Sequence, residues 1–253
     1  MASLPQMRLG LISYCYHHEP VAAVLGRVRA LGLGHLELWY GHPDGRADYQ
    51  KRSEAEARAL RAEAEEAGIA IPAFCIGGWN GVDAGRVERA IAFARGLGAA
   101  TVTGCATPAV AEALAPAFAA AGLRFGIENH RGNVFERPAD LLPVLARTGE
   151  AVGCNFDSGH FLLAGCDVLE AAEALRGRIY HVHLKDIDLK DGPAGPPAPV
   201  GEGALPLHAL VAALRAQGYV GLLSIEHEIA GDPTAELQVC VRHAREALQT
   251  AGV

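Results

Sequence analysis

Four times along the chain a helical stretch closes on a glycine and runs straight into an apolar, β-branched segment: "RALGLGHLEL", "EEAGIAIPAF", "AAAGLRFGIE" and "RAQGYVGLLSIE". Glycine at a helix C-terminus supplies the left-handed backbone that ends the helix, and the apolar run behind it reads as a buried strand. Extended over the chain, this pattern predicts strands at 9–12, 35–38, 71–75, 101–103, 124–128, 152–157, 179–184 and 222–226. Helical patterns fall between them, at 20–32, 52–68, 83–97, 108–121, 138–147, 162–176, 206–217 and 232–250. Eight such units, of roughly 30 residues each, account for all 253 residues without a linker or a shift in composition. An open doubly wound sheet also alternates, but it carries a Gly-rich fingerprint after its first strand. Here the first strand is followed by "SYCYHHEP". The expectation is an α/β fold, a single-domain (β/α)8 TIM barrel over residues 1–253, with its site at the C-terminal ends of the strands. One long irregular piece, 186–206, rich in Gly and Pro, follows the seventh strand.

Composition narrows the partners. The net charge of −7, with no run of Lys or Arg, argues against nucleic acid and against an anionic membrane surface. The longest uncharged stretch, 96–111, is broken by Gly, Thr and Pro and is no membrane span. Residues 1–8 hold no apolar signal-peptide core. Six cysteines without a C-x-x-C pair read as reduced thiols of a cytoplasmic protein. Eleven histidines are many for this length, and most of them fall on strands or just after strand ends.

Strand alternation shows where polar side chains go. In the fifth strand Phe125 and Ile127 face the helices, which leaves Glu128 inside; in the sixth, Cys154 and Phe156 face out and Asp157 in. In the seventh, Val182 and Leu184 face out while His181, His183 and Lys185 face in. The eighth sends Glu226 inward, and the second sends His35, Glu37 and Trp39 inward. Buried carboxylates repel one another unless a cation sits among them. Glu128, Asp157, His183 and Glu226 would give one divalent ion three oxygens and one nitrogen, a set suited to Mn²⁺, Co²⁺, Mg²⁺ or Zn²⁺. Any one of them read alone could instead be a strand-end polar residue bonded to a neighbour.

The motifs "GIENH" (126–130), "FDSGH" (156–160), "HVHLKD" (181–186), "VGEG" (200–203) and "LLSIEHE" (222–228) resemble the xylose isomerase-like TIM barrel superfamily. That sugar-phosphate isomerase and epimerase family includes hydroxypyruvate isomerase, tagatose-type 3-epimerases, inosose dehydratase and the apurinic endonucleases. The resemblance runs over the whole chain. It implies that Glu128, Asp157, His183 and Glu226 are metal ligands and that Glu128 and Glu226 double as the catalytic acid/base pair. It also implies substrate contacts at His160 and Lys185; Glu37 matches a common second-strand acid with no fixed role but is counted with the substrate contacts. Trp39 and His17 are further candidates from their places after strands two and one, Trp39 as an apolar wall over a sugar face. Packing under a loop, or a solvated loop, would explain them equally.

The chemistry so implied is proton transfer by glutamate through a metal-stabilised cis-enediolate. Proton return to the opposite face of the same carbon is epimerisation, and return to the neighbouring carbon is isomerisation. Expulsion of a β-hydroxyl instead would make the protein an inosose-type keto-polyol dehydratase, a lyase. An apurinic endonuclease is a further alternative, disfavoured by the net charge and by the absence of a D-x-H pair after "HLKD". A sugar-binding barrel without activity is another. The substrate, a ketose, hydroxy-keto acid or inosose, stays open: "IDLKDGPAGPPAPVGEG" lacks the arginine usual in tagatose-type epimerases and offers only Lys190. Pairing as a homodimer or homotetramer through outer helices is expected from other barrels of this kind. His130 and His227, each next to or near a ligand glutamate, are expected to point away from the ion, and His208 and His243 to lie on the surface.

Overall fold

A computed structural model describes residues 7–252. Eight parallel strands close into a barrel: β1 (Arg8–Ile12), β2 (His35–Trp39), β3 (Ala70–Gly78), β4 (Thr101–Cys105), β5 (Arg124–Glu128), β6 (Val152–Asp157), β7 (Ile179–Leu184) and β10 (Leu222–Ile225). The last strand pairs with β1 and so closes the sheet. Between the strands run α1 (Val21–Ala30), α2 (Glu54–Glu66), α3 (Ala84–Leu97), α4 (Pro108–Ala121), α5 (Pro138–Arg147), α6 (Ser158–Leu163), α7 (Val168–Ala174) and α8 (Leu207–Ala216); α9 (Thr234–Thr250) completes the ring. No described helix is long and apolar enough to cross a membrane.

The local reasons are those read from the sequence. Ser53 caps α2 through a capping box with Glu56, and Asp83 and Thr107 accept N–H bonds at the starts of α3 and α4. Outward strand residues pack on the helices. Phe74 meets Phe93 at a ring separation of 5.2 Å, Phe125 meets Phe118 at 5.5 Å and Phe156 meets Phe161 at 4.8 Å. All six rings are fully buried, each contributing about 1.5–3 kcal/mol.

Two expected elements differ. The predicted helix 162–176 is two helices, α6 and α7. The chain turns at Gly165 (φ 69°), and Asp167 then accepts the N–H groups of Leu169 and Glu170 to start again. The irregular stretch 186–206 contains a small ribbon, β8 (Asp186–Ile187) against β9 (Pro197–Ala198). It is tied down by the buried Asp186 carboxylate, which accepts N–H bonds from Ile187, Gly201, Gly203 and Leu205 at 2.8–3.0 Å. The "VGEG" motif is therefore an anchor for this segment.

Candidate functional site

The C-terminal ends of β5, β6, β7 and β10 bring Glu128, Asp157, His183 and Glu226 together, with one potential ligand atom from each inside a 4.8 Å circle. Register explains the shared depth, since Asp157 pairs with His183 and Ser224 lies beside His183 from the other side. The strand ends are stitched by side chains. Asn129 donates to the Asp157 carbonyl at 2.9 Å and accepts its N–H at 2.8 Å. Ser158 Oγ accepts the Lys185 N–H at 3.0 Å and lies 2.8 Å from the Lys185 carbonyl. Asp157 Oδ1 caps α6 by accepting the His160 N–H at 2.7 Å, which leaves Oδ2 turned to the cluster.

His183 Nδ1 lies 2.8 Å from Glu226 Oε2, 3.5 Å from Glu128 Oε1 and 3.7 Å from Asp157 Oδ2. Asp157 Oδ2 and Glu226 Oε2 are buried, and neither meets His183 Nδ1 or any other group in hydrogen-bond geometry among the described residues. Unpartnered carboxylate oxygens are costly away from water, and a divalent cation would satisfy both. The donor set fits such an ion. Burial alone would raise Glu226, but Lys185 and His183 outweigh it and hold the carboxyl at about 2. Asp157 is likewise lowered against its burial, by His160, Lys185 and His183. Burial works against charge on His183 too, yet Glu37 and Glu226 raise it well above an ordinary imidazole. In the metal-free site the acids around His183 therefore favour its protonated form.

A cavity of about 240 Å³ opens above the cluster, walled by Tyr14, Trp39, His130, His160 and Glu228. Among the described residues no arginine or lysine lines it. His160 lies against His130 with ring centres 3.7 Å apart and planes tilted by 36°, and Tyr14 meets Trp39 edge-on at 5.0 Å. Lys185 is buried beside the cavity and donates to Glu228 Oε1 at 2.6 Å, with Glu226 Oε1 at 3.5 Å. Its stem passes Gly159 so closely that a Cβ there would lie 2.6 Å from Lys185 Cγ, which accounts for glycine in "FDSGH".

Several expectations change. Glu37, expected to touch substrate, is fully buried beneath His183, because it lies mid-strand on β2 rather than at its end. His17 does not line the cavity; its ring stacks on Tyr14 and Nδ1 bonds the Tyr14 carbonyl. A 3-10 turn, Ser13–Tyr16, follows β1, so alternation fails there and Tyr14 takes the place expected for a histidine. His130, expected to point away, is a wall residue, since the strand ends at Glu128 and the chain turns. Trp39 and His160 lie in the wall, and His227 is buried on Glu236. Glu228 was missed, although it lies two residues beyond Glu226 in "LLSIEHE".

The family model described as xylose isomerase-like TIM barrel matches residues 25–247. Inosose dehydratase of Clostridium perfringens is 36% identical over 70 residues, 27% of this chain and 24% of that protein. The chain thus spans about a quarter of the length of the curated relatives it matches. Among solved structures, a xylose isomerase-like TIM barrel protein from Mycobacterium smegmatis in complex with magnesium aligns over 100% of both chains, with TM-score 0.80 and 16% identity. An L-ribulose 3-epimerase aligns over 97% of this chain and 96% of its own, with TM-score 0.77 and 21% identity. At these identities the two structures establish a shared fold.

Proposed function

The chain belongs to the xylose isomerase-like TIM barrel family, and from that premise we propose that it is a divalent-cation-dependent isomerase or epimerase of an uncharged polyhydroxy ketone. The observation that carries this reading is the convergence of Glu128, Asp157, His183 Nδ1 and Glu226, two of whose carboxylate oxygens lack hydrogen-bond partners, at the floor of a cavity. A bound Mn²⁺, Co²⁺, Mg²⁺ or Zn²⁺ would polarise the carbonyl of an α-hydroxy-ketone and offset the negative charge that develops on deprotonation.

Glu128 and Glu226 rise from strands separated by β6 and β7, so they approach a substrate from different sides of the barrel. One removes the proton from the carbon next to the carbonyl, and the other returns one. Lys185 keeps Glu226 ionised and therefore able to accept. Tyr14 and Trp39 offer apolar edges to a carbon skeleton, while His160 offers an imidazole to hydroxyls. Among the described residues no guanidinium or ammonium lines the cavity, and the nearby Lys185 is taken up by Glu226 and Glu228, so a phosphate or carboxylate on the substrate would find no free cationic side chain in the wall. This favours a neutral ketose or inosose over a sugar phosphate or hydroxypyruvate.

The inosose dehydratase match favours a second reading, in which the same proton removal is followed by loss of a β-hydroxyl. Solvent-deuterium incorporation with Mn²⁺ across ketoses, hydroxypyruvate and inososes tests both. Deuterium at the substrate carbon with the substrate's composition retained supports the isomerase; an unsaturated product one water lighter supports the dehydratase. Glu128→Gln and Glu226→Gln should each slow exchange by about 100-fold or more. Full exchange activity in either variant would remove the proton-transfer role.

A further inference from the structure

We propose that Glu37, on the barrel floor, is a positioning residue that fixes His183 with its proton on Nε2 and so keeps Nδ1 turned to the cation site. The inference rests on the cation reading above and adds a residue outside the four ligands. Glu37 is fully buried, and Oε2 lies 2.8 Å from Nε2 of both His181 and His183. Its other oxygen, Oε1, accepts the Thr103 hydroxyl at 2.5 Å. An ionised carboxylate only accepts hydrogen bonds, so both imidazoles must donate from Nε2. A neutral ring protonated at Nε2 presents its lone pair at Nδ1. That is the nitrogen beside Glu226, Glu128 and Asp157.

The opposite tautomer would set the Nε2 lone pair against Glu37 at 2.8 Å in a fully buried site, and would put a proton on the coordinating nitrogen. Asn155 does not decide the matter. Its Nδ2 lies 3.3 and 3.5 Å from the two ring nitrogens, and such near-equal distances put it over the ring face. Glu37 is itself held from three strands: its own β2, Thr103 on β4, and the histidines on β7. The device spans the barrel interior and leaves the ring little freedom to turn. Ligating histidines commonly give their second N–H to a carboxylate for this reason.

The test reads Mn²⁺ affinity and the His183 ring proton. In Glu37→Gln one amide oxygen must replace a carboxylate that accepts three bonds; Mn²⁺ affinity should fall by about 10–100-fold. Thr103→Val leaves both Nε2 contacts in place and should cost no more than about fivefold. NMR of the metal-free wild-type chain with ¹⁵N-labelled histidine, taken at a pH high enough that the His183 ring is neutral, should find its single ring proton on Nε2. Equal Mn²⁺ affinity in Glu37→Gln and wild type, or a wild-type His183 bare at Nε2, would overturn the proposal. Should Glu37→Gln fail to fold, the wild-type NMR result decides alone. A wild-type chain that binds no Mn²⁺ would sink the cation reading, while the Nε2 proton would still support or overturn the role of Glu37.

Discussion

His183 lies between two acids, hydrogen-bonded to Glu37 through Nε2 and with Glu226 facing Nδ1, each at 2.8 Å. In the metal-free protein these charges raise its pKa well above the ordinary imidazole value despite burial. A raised histidine contributes stability that is complete below its unfolded value and is lost as pH climbs through the folded one. A cation at Nδ1 must displace that proton, so Mn²⁺ affinity should increase steadily between about pH 6 and about pH 8. Titration calorimetry at several pH values checks this, with proton release on binding as the companion signal. An affinity flat with pH would mean that Nδ1 is not a ligand. At this scale alternation alone identified the four candidate ligands. It did not identify Tyr14 or His130, because both lie past strand ends where the period of two no longer holds.

At the scale of elements, all eight strands were legible, because each is a short apolar run and most follow a helix-ending glycine. Strand β3 extends three residues beyond expectation, to Gly78, through a register shift against β4. The break between α6 and α7 was less visible, since "FLLAGCDVLEAAEAL" keeps helical periodicity across Gly165. The anchor in 186–206 could not be read at all: nothing in the sequence tells that one aspartate gathers N–H groups as distant as Leu205. Asp186→Ala would leave four backbone donors short of an acceptor and should lower stability by about 2–4 kcal/mol. Urea denaturation measures the loss, and faster proteolysis within 188–204 would place it in this segment. Unchanged stability would mean that water replaces the carboxylate at no cost.

Taken as a whole, the molecule concentrates its chemistry at one end of a minimal barrel. Its overall charge is −7, and among the described residues the wall of the cavity carries no arginine or lysine; the nearby ammonium of Lys185 is held by Glu226 and Glu228. Eight strand–helix units could be counted from the sequence because each leaves its own apolar signature. The choice of substrate could not, because Tyr14, Trp39, His130, His160 and Glu228 meet only in three dimensions. The central claim, that four side chains from four strands form one cation site, makes a direct demand on binding stoichiometry. Equilibrium Mn²⁺ binding to the purified chain should saturate at about one ion per chain in wild type and fall by about 100-fold or more in affinity in Asp157→Asn. A wild-type chain that takes up no Mn²⁺, Co²⁺, Mg²⁺ or Zn²⁺, or an Asp157→Asn chain that binds as tightly, would contradict it.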